Sequence, residues 1–377
     1  MPSSVESLAN LPLREDLVGL HPYGAPQLDV PILLNVNENT HGVPPDVHAA
    51  IVRAVEDATR GLHRYPDREF TELRTNLAAY LGHGLTADQL WAGNGSNEVL
   101  QQILQAFGGP GRTALGFPPT YSMYPLLSSG TGTRYITAER EGAYAMTPEG
   151  TARAVRDSGA NIVFLCSPNN PTGTALDLEV IEAAYTAGED ARAIIIVDEA
   201  YGEFTQEGTA SALSLLPGRP RLLVSRTMSK AFALAGARIG YLAAAPEVAD
   251  ALRLVRLPYH LSATTQATAN AALTHAATLL SNVEAIKVQR DRIVRELGAL
   301  GLTPAPSDAN FVFFSGLEDP RRVWEGLLEA GVLIRDVGIP GSLRVTAGTE
   351  QETTAFLTAL KRLLGPAGSR PYGPLDP

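Results

Sequence analysis

Three short apolar runs constrain this chain more than any other feature. They lie in NIVFLCSPNNPTG (161–173), ARAIIIVDEAY (191–201) and RLLVSRTMSK (221–230). Each is too short for a convincing helix and too uniformly apolar for a strand with one wet face. Buried strands of a mostly parallel sheet, with helical segments between them, meet both conditions. In such sheets ligands gather beyond the carboxyl ends of the strands. All three runs carry their polar residues there.

The remaining segments arrange around that sheet. A length of 377 residues exceeds one ordinary core and predicts two domains. Residues 1–40 form an irregular, Pro/Gly-containing arm expected to pack on the smaller domain and the site. Residues 41–250 are expected to form the large domain, opening with PPDVHAAIVRAVEDATRGL, whose prolines suit a helix start. Residues 251–365 are expected to form a smaller α+β domain. It contains one long Ala-rich helical stretch (TQATANAALTHAATLLSNVEAIKVQRDRIVRELGALG) and strand candidates in SDANFVFFSG and GSLRVTAG. Residues 366–377 read as a disordered tail.

Charge and cysteine content remove some partners. A net charge of −10 disfavours nucleic acid and anionic membranes, while a few local arginines can still hold a small anion. Cys166 is the only cysteine, so no intrachain disulfide forms and a reducing cytoplasm is the simplest location. The first residues lack a signal-peptide pattern, and no apolar run is long enough to span a bilayer.

The loops supply the chemistry one piece at a time. GNGSNE (93–98) precedes a helical stretch, where backbone N–H groups can cradle a phosphate. Taken alone, a glycine turn with a Ser or Asn cap is the plainer reading. Tyr121 in FPPTYSMY can stack on a flat ring or serve as a rim aromatic. SPNNPTG fixes a turn after a buried strand and leaves the Asn170 amide to meet a ligand oxygen. Asp198 ends a run of β-branched residues, and a carboxylate there needs a cation or hydrogen-bond donors. An arginine would serve, and so would a protonated ring nitrogen. Lys230 stands among Ala231, Phe232, Ala233 and Leu234, which do not resemble a solvated face. Partial desolvation lowers an amine's pKa and prepares it to attack a carbonyl. Arg238 can then add charge to a phosphate site. Phosphate cradle, ring stacker, amide, buried acid and reactive amine together match pyridoxal 5′-phosphate group for group.

The chain resembles the fold type I pyridoxal-phosphate aminotransferases from about residue 20 to 364. The likeness rests on PYGAP, LLNVNEN, RYPD, GNGSNE, PPTYSMY, SPNNPTGT, VDEAY, RTMSKAFALAGARIGY, ANFVFF and LRVTAG, in that order. It implies an α/β fold: a large domain with a mostly parallel sheet flanked by helices, plus a smaller α+β domain. Lys230 would bond to the cofactor and move a proton between the substrate carbon and the cofactor. Asp198 would pair with the ring nitrogen. Tyr201 and Asn170 would meet the phenolic oxygen, and Tyr121 would stack on the ring. Ser96, Asn97, Thr227, Ser229 and Arg238 would hold the phosphate, joined by Tyr65 from a second subunit. The resemblance therefore implies a homodimer with shared sites. Arg344 would bind the carboxylate of glutamate or 2-oxoglutarate, with Arg335 as a second anion clamp or a surface ion pair. The particular likeness is to members acting on L-histidinol phosphate, with Tyr23 packing near the imidazole. Thr40 stands where such chains often carry proline after NEN.

Two neighbours share the scaffold: aromatic amino-acid aminotransferases and threonine-phosphate decarboxylases. Arg335 and Arg344 favour a phosphorylated substrate. A cofactor-sensing regulator is a reading of another class, but the residues ahead of the sheet are Pro/Gly-rich and the chain is acidic.

Overall fold

The computed structural model describes residues 11–19, 24 and 26–365. Tyr23 and the 366–377 segment lie outside the described residues. Twelve strands occur among those described: β1 Ile32–Leu33, β2 Leu90–Asn94, β3 Thr113–Gly116, β4 Arg134–Thr137, β5 Ile162–Cys166, β6 Ile194–Asp198, β7 Leu222–Thr227, β8 Ile239–Ala243, β9 Thr303–Pro304, β10 Phe311–Ser315, β11 Val332–Leu333 and β12 Leu343–Thr346.

The three apolar runs are β5, β6 and β7, and every residue of each strand is buried. Ile, Val, Leu and Phe suit such positions because they pack on both faces of a covered sheet. The central sheet has the order β2-β8-β7-β6-β5-β3-β4. Strands β3 to β7 pair in parallel, whereas β8 is antiparallel to both β7 and β2. Two reversals restore direction, so β2 points the same way as β7. The GNGSNE turn after β2 thus reaches the same edge as the ends of β5, β6 and β7.

A smaller sheet, β12-β10-β9, is antiparallel throughout. The arm joins this part of the molecule: β1 pairs in parallel with β11, placing Ile32 opposite Val332 and Leu33 opposite Leu333. The long Ala-rich stretch is two helices rather than one, Ala263–Thr274 and Ala276–Ala299. His275 separates them with φ −112° and ψ 24°, outside the helical well. The first helix packs on Pro45–Thr59 and Thr71–Leu81. The second packs on Glu350–Leu364 and on β9 and β10.

On the sheet face opposite the strand-end chemistry, Arg226 lies between Glu199 at 2.6 Å and Glu203 at 3.2 Å. Tyr80 donates to Glu203 at 3.2 Å, and Ser211 donates to Glu199 at 2.7 Å. A buried charge needs such company. Burial alone would lower the Arg226 pKa, but the two carboxylates hold it above its ordinary value. This cluster ties β6 to β7 just behind Asp198 and Thr227.

Candidate active site

The strand ends, the GNGSNE turn, the arm and β12 enclose one cavity of about 1210 Å³. Ser96, Asn97, Tyr121, Asn170, Asp198 and Tyr201 line it, as do Thr227, Ser229, Lys230, Arg238, Arg335 and Arg344. The fold therefore gathers residues spread over almost 250 positions. Tyr65 is not among the lining residues; it is 78% exposed and stacks on Tyr259 at 4.4 Å.

The phosphate end is shaped by what it leaves out. Helix Ser96–Phe107 starts at Gly95, whose φ of 85° lies in the left-handed region. A Cβ at Gly95 would strike the Arg238 guanidinium, and one at Gly240 would strike the Gly95 and Ser96 backbone. The helix start, with its unpaired N–H groups, thus sits directly beside the arginine. Thr227 Oγ1 donates to Ser229 Oγ at 2.9 Å, and Tyr121 Oη donates to Asn97 Oδ1 at 3.2 Å. A tetrahedral dianion fits this set of helix N–H groups, hydroxyls and guanidinium.

Asp198 closes the opposite side. It is 3% exposed, and burial raises its pKa. Two side-chain donors, Tyr124 Oη to Oδ2 at 2.9 Å and Ser225 Oγ to Oδ1 at 3.0 Å, oppose that shift, and the Ala200 backbone adds to them. Both partners were absent from the sequence reading. Ser225 sits opposite Asp198 in the β6–β7 register. Tyr124 lies three residues beyond Tyr121, in the first turn of helix Met123–Gly130, stacks on Phe164 at 4.4 Å and meets the Tyr121 ring edge-on at 5.5 Å. One buried tyrosine therefore supports both the acid and the ring stacker. The carboxylate is oriented and still borders the cavity, as a flat ring with a protonated nitrogen requires.

Lys230 is half-buried on the cavity wall. Its Nζ donates to Val36 O at 2.9 Å. Loss of water, then the positive charges of Arg344 and Arg238, bring its pKa down to about 8. The chain holds three lysines. Lys287 and Lys361 instead pair with Glu284 and Glu296 on helix surfaces, at 3.0 and 2.6 Å. Lys230 alone among them borders the cavity.

The last side carries the anion clamps. Arg335 and Arg344 exchange both backbone hydrogen bonds at 2.9 Å, which sets the two residues side by side. Arg344 Nη2 donates to Asn35 O at 2.8 Å, and its Nη1 donates to Asn170 Oδ1. Tyr201 is buried, which raises its phenol to about 12 against the pull of Arg344 and Asn37. Asn37 is a further residue the sequence reading did not single out. Among the described residues the buried Thr40 hydroxyl has no partner, and nothing in the structure explains the choice of threonine there.

The sequence pattern described as aminotransferase class I and II matches residues 29–360, so the chain belongs to that family of transferases. It is 71% identical over 372 residues to the histidinol-phosphate aminotransferase of Paenarthrobacter aurescens (strain TC1), covering 99% of this chain and 100% of that one. Identity to the enzyme of the same description from Thermobifida fusca (strain YX) is 54%, over 96% of this chain and 98% of the relative. Among solved structures, the histidinol-phosphate aminotransferase from Sinorhizobium meliloti, in complex with pyridoxal-5′-phosphate, matches with a TM-score of 0.81 at 28% identity. That match covers 89% of this chain and 91% of the other.

Proposed function

We propose that this chain is a histidinol-phosphate aminotransferase. It exchanges an amino group between L-histidinol phosphate and 2-oxoglutarate, giving imidazole acetol phosphate and glutamate, with pyridoxal 5′-phosphate as cofactor. The observation that carries this reading is the cavity itself: one depressed lysine, one oriented buried acid and a phosphate-sized helix start share it with two adjacent arginines. When bound, the cofactor supplies an aldehyde that takes up amino groups and a cationic ring that withdraws electrons from the substrate carbon.

The chain's own groups do the rest. Lys230 Nζ removes the proton from the substrate carbon bearing nitrogen, and an amine near pKa 8 is partly neutral at physiological pH. Asp198 holds a positive charge at the ring nitrogen. Tyr121 fixes the ring plane. Tyr201 and Asn170 donate to the phenolic oxygen. Ser96, Asn97, Thr227, Ser229 and Arg238 hold the cofactor phosphate. Arg344 and Arg335 receive the remaining anion, which is the phosphate of one substrate and a carboxylate of the other. Bidentate guanidinium recognition suits both shapes.

The active form is a homodimer. The exposed Tyr65–Tyr259 stack lies in a sequence neighbourhood that includes exposed Leu62, Leu254 and Leu257, apolar surface of the kind a second copy covers. In that assembly Tyr65 reaches the partner's phosphate site; sedimentation of the holoprotein as a monomer would contradict it. No helix among the described residues is long and apolar enough to cross a membrane. The single thiol, Cys166, is buried and free, which suits the cytoplasm; cell fractionation tests that location.

The functional test is a half-reaction. L-histidinol phosphate, added without any keto acid to the yellow protein, should bleach the cofactor's visible band and yield the amine form. A spectrum that stays fixed in a cofactor-bearing protein removes this substrate and points to phosphothreonine or phenylalanine.

A further inference from the structure

Three consecutive residues of the arm each hold a different member of the site. Asn35 O accepts from Arg344 at 2.8 Å, Val36 O accepts from Lys230 at 2.9 Å, and Asn37 Nδ2 donates to Tyr201 Oη at 2.9 Å. The first two contacts use backbone carbonyls, which any residue offers. The third uses a side chain, so residue identity matters there.

Asn37 is itself held on several sides. It is 1% exposed, and its φ of 58° is left-handed, a conformation asparagine adopts more readily than most residues. Its N–H donates to Thr346 Oγ1 at 3.1 Å, and its Oδ1 accepts from that hydroxyl at 3.2 Å. Its carbonyl accepts from Asn310 Nδ2 at 3.0 Å. With Oδ1 turned to Thr346, the amide nitrogen faces Tyr201.

Tyr201 Oη receives a second donor, Asn170 Nδ2, at 3.5 Å. Among the described residues nothing accepts the Tyr201 O–H, so its proton is left for the cavity that Tyr201 lines. A hydroxyl oxygen that accepts a hydrogen bond has a more polarised O–H and donates more strongly.

We infer that Asn37 is a positioning residue: by donating to Tyr201 Oη, it aims and strengthens the tyrosine's own donation to the cofactor's phenolic oxygen. The inference rests on the reading that this cavity takes pyridoxal phosphate. A stronger donor stabilises the anionic form of that oxygen and keeps the bound cofactor's titration low. Thr346 then acts one step further back, by fixing which end of the Asn37 amide meets the tyrosine.

The test is a pH titration of the visible absorbance of the substrate-free holoprotein. Asn37→Gly removes the amide and keeps a residue at ease with the left-handed backbone. It should raise the titration midpoint by about half a unit to one unit, the size expected from one lost hydrogen bond. Thr346→Val keeps the shape, removes the hydroxyl, and should raise the midpoint by a smaller amount. Wild-type midpoints in both variants overturn the inference, including when their melting temperatures fall, because that pattern marks a purely structural role. If Asn37→Gly does not fold, Thr346→Val decides alone. A wild-type protein that binds no pyridoxal phosphate would instead refute the cofactor reading.

Discussion

The cavity has two walls, and they satisfy their charges differently. On the sheet wall, Asp198 is clamped by the side chains of Tyr124 and Ser225, which belong to the same packed core. On the arm wall, Lys230 and Arg344 donate to the backbone carbonyls of Val36 and Asn35. The sheet contacts are built from strand register and aromatic packing and have nowhere else to go. The arm contacts join cations to neutral carbonyls, a weaker pairing that an anionic ligand can replace. Fixed groups suit the part of a reaction that stays the same in every turnover, which is the electronics of a ring. Exchangeable groups suit the part that changes, which is the substrate and the amine that must let it in.

Four perturbations test the difference between the two walls. Lys230→Ala removes the only lysine among the described residues that line the cavity and should lower turnover by about 10⁴-fold, measured by amino-acid formation in the steady state. Pyridoxal phosphate should still bind to that variant, because its phosphate and ring contacts remain. Asp198→Ala strikes the sheet wall and should lower turnover by about 10²–10³-fold while weakening retention of the cofactor on dialysis. Both losses should persist at saturating substrate, unlike those of an anion-clamp variant.

The pH response should belong to the arm wall. The neutral amine is the nucleophile, so cofactor uptake by the apoprotein should accelerate as pH rises toward 8 and level off above it. Between pH 6 and 7 the stopped-flow rate should change about tenfold. A rate that keeps climbing about tenfold per pH unit beyond 8 would show that Lys230 is not depressed. Tyr124→Phe is the mildest change. It removes one of two side-chain donors to Asp198, which should let burial raise the acid further and cost roughly tenfold in turnover. An unaltered rate would show that Ser225 and the Ala200 backbone suffice.

Residues at strand ends were legible in the sequence because the apolar runs announce where each strand stops. Asp198 and Lys230 follow directly from that pattern, Ser96 and Asn97 from the glycine turn, and Thr227 only from the family resemblance. Their supporting residues were not. Tyr124 meets Asp198 across 74 positions, and Asn37 meets Tyr201 across 164. Nothing local records such pairings. The three alternating asparagines of NVNEN and the tyrosine three residues after Tyr121 were signals of a kind, but each reads equally well as loop or core. The carbonyls of Asn35 and Val36 leave no mark in sequence, because every residue has one. The break at His275 was also hidden, since alanine-rich sequence continues on both sides. The family resemblance assigns Tyr65 to a second subunit's site, and its exposure on one protomer leaves it available for that contact.

The most direct measurement is to load the protein with pyridoxal phosphate, reduce it with borohydride, digest it and map the modified lysine by mass spectrometry. With only three lysines in the chain the outcome is unambiguous. A pyridoxyl group on the peptide containing Lys230 is the expected result. Modification of Lys287 or Lys361 in its place, or a yellow protein that yields no modified lysine, would contradict the assignment of Lys230 as the amine at the centre of the site.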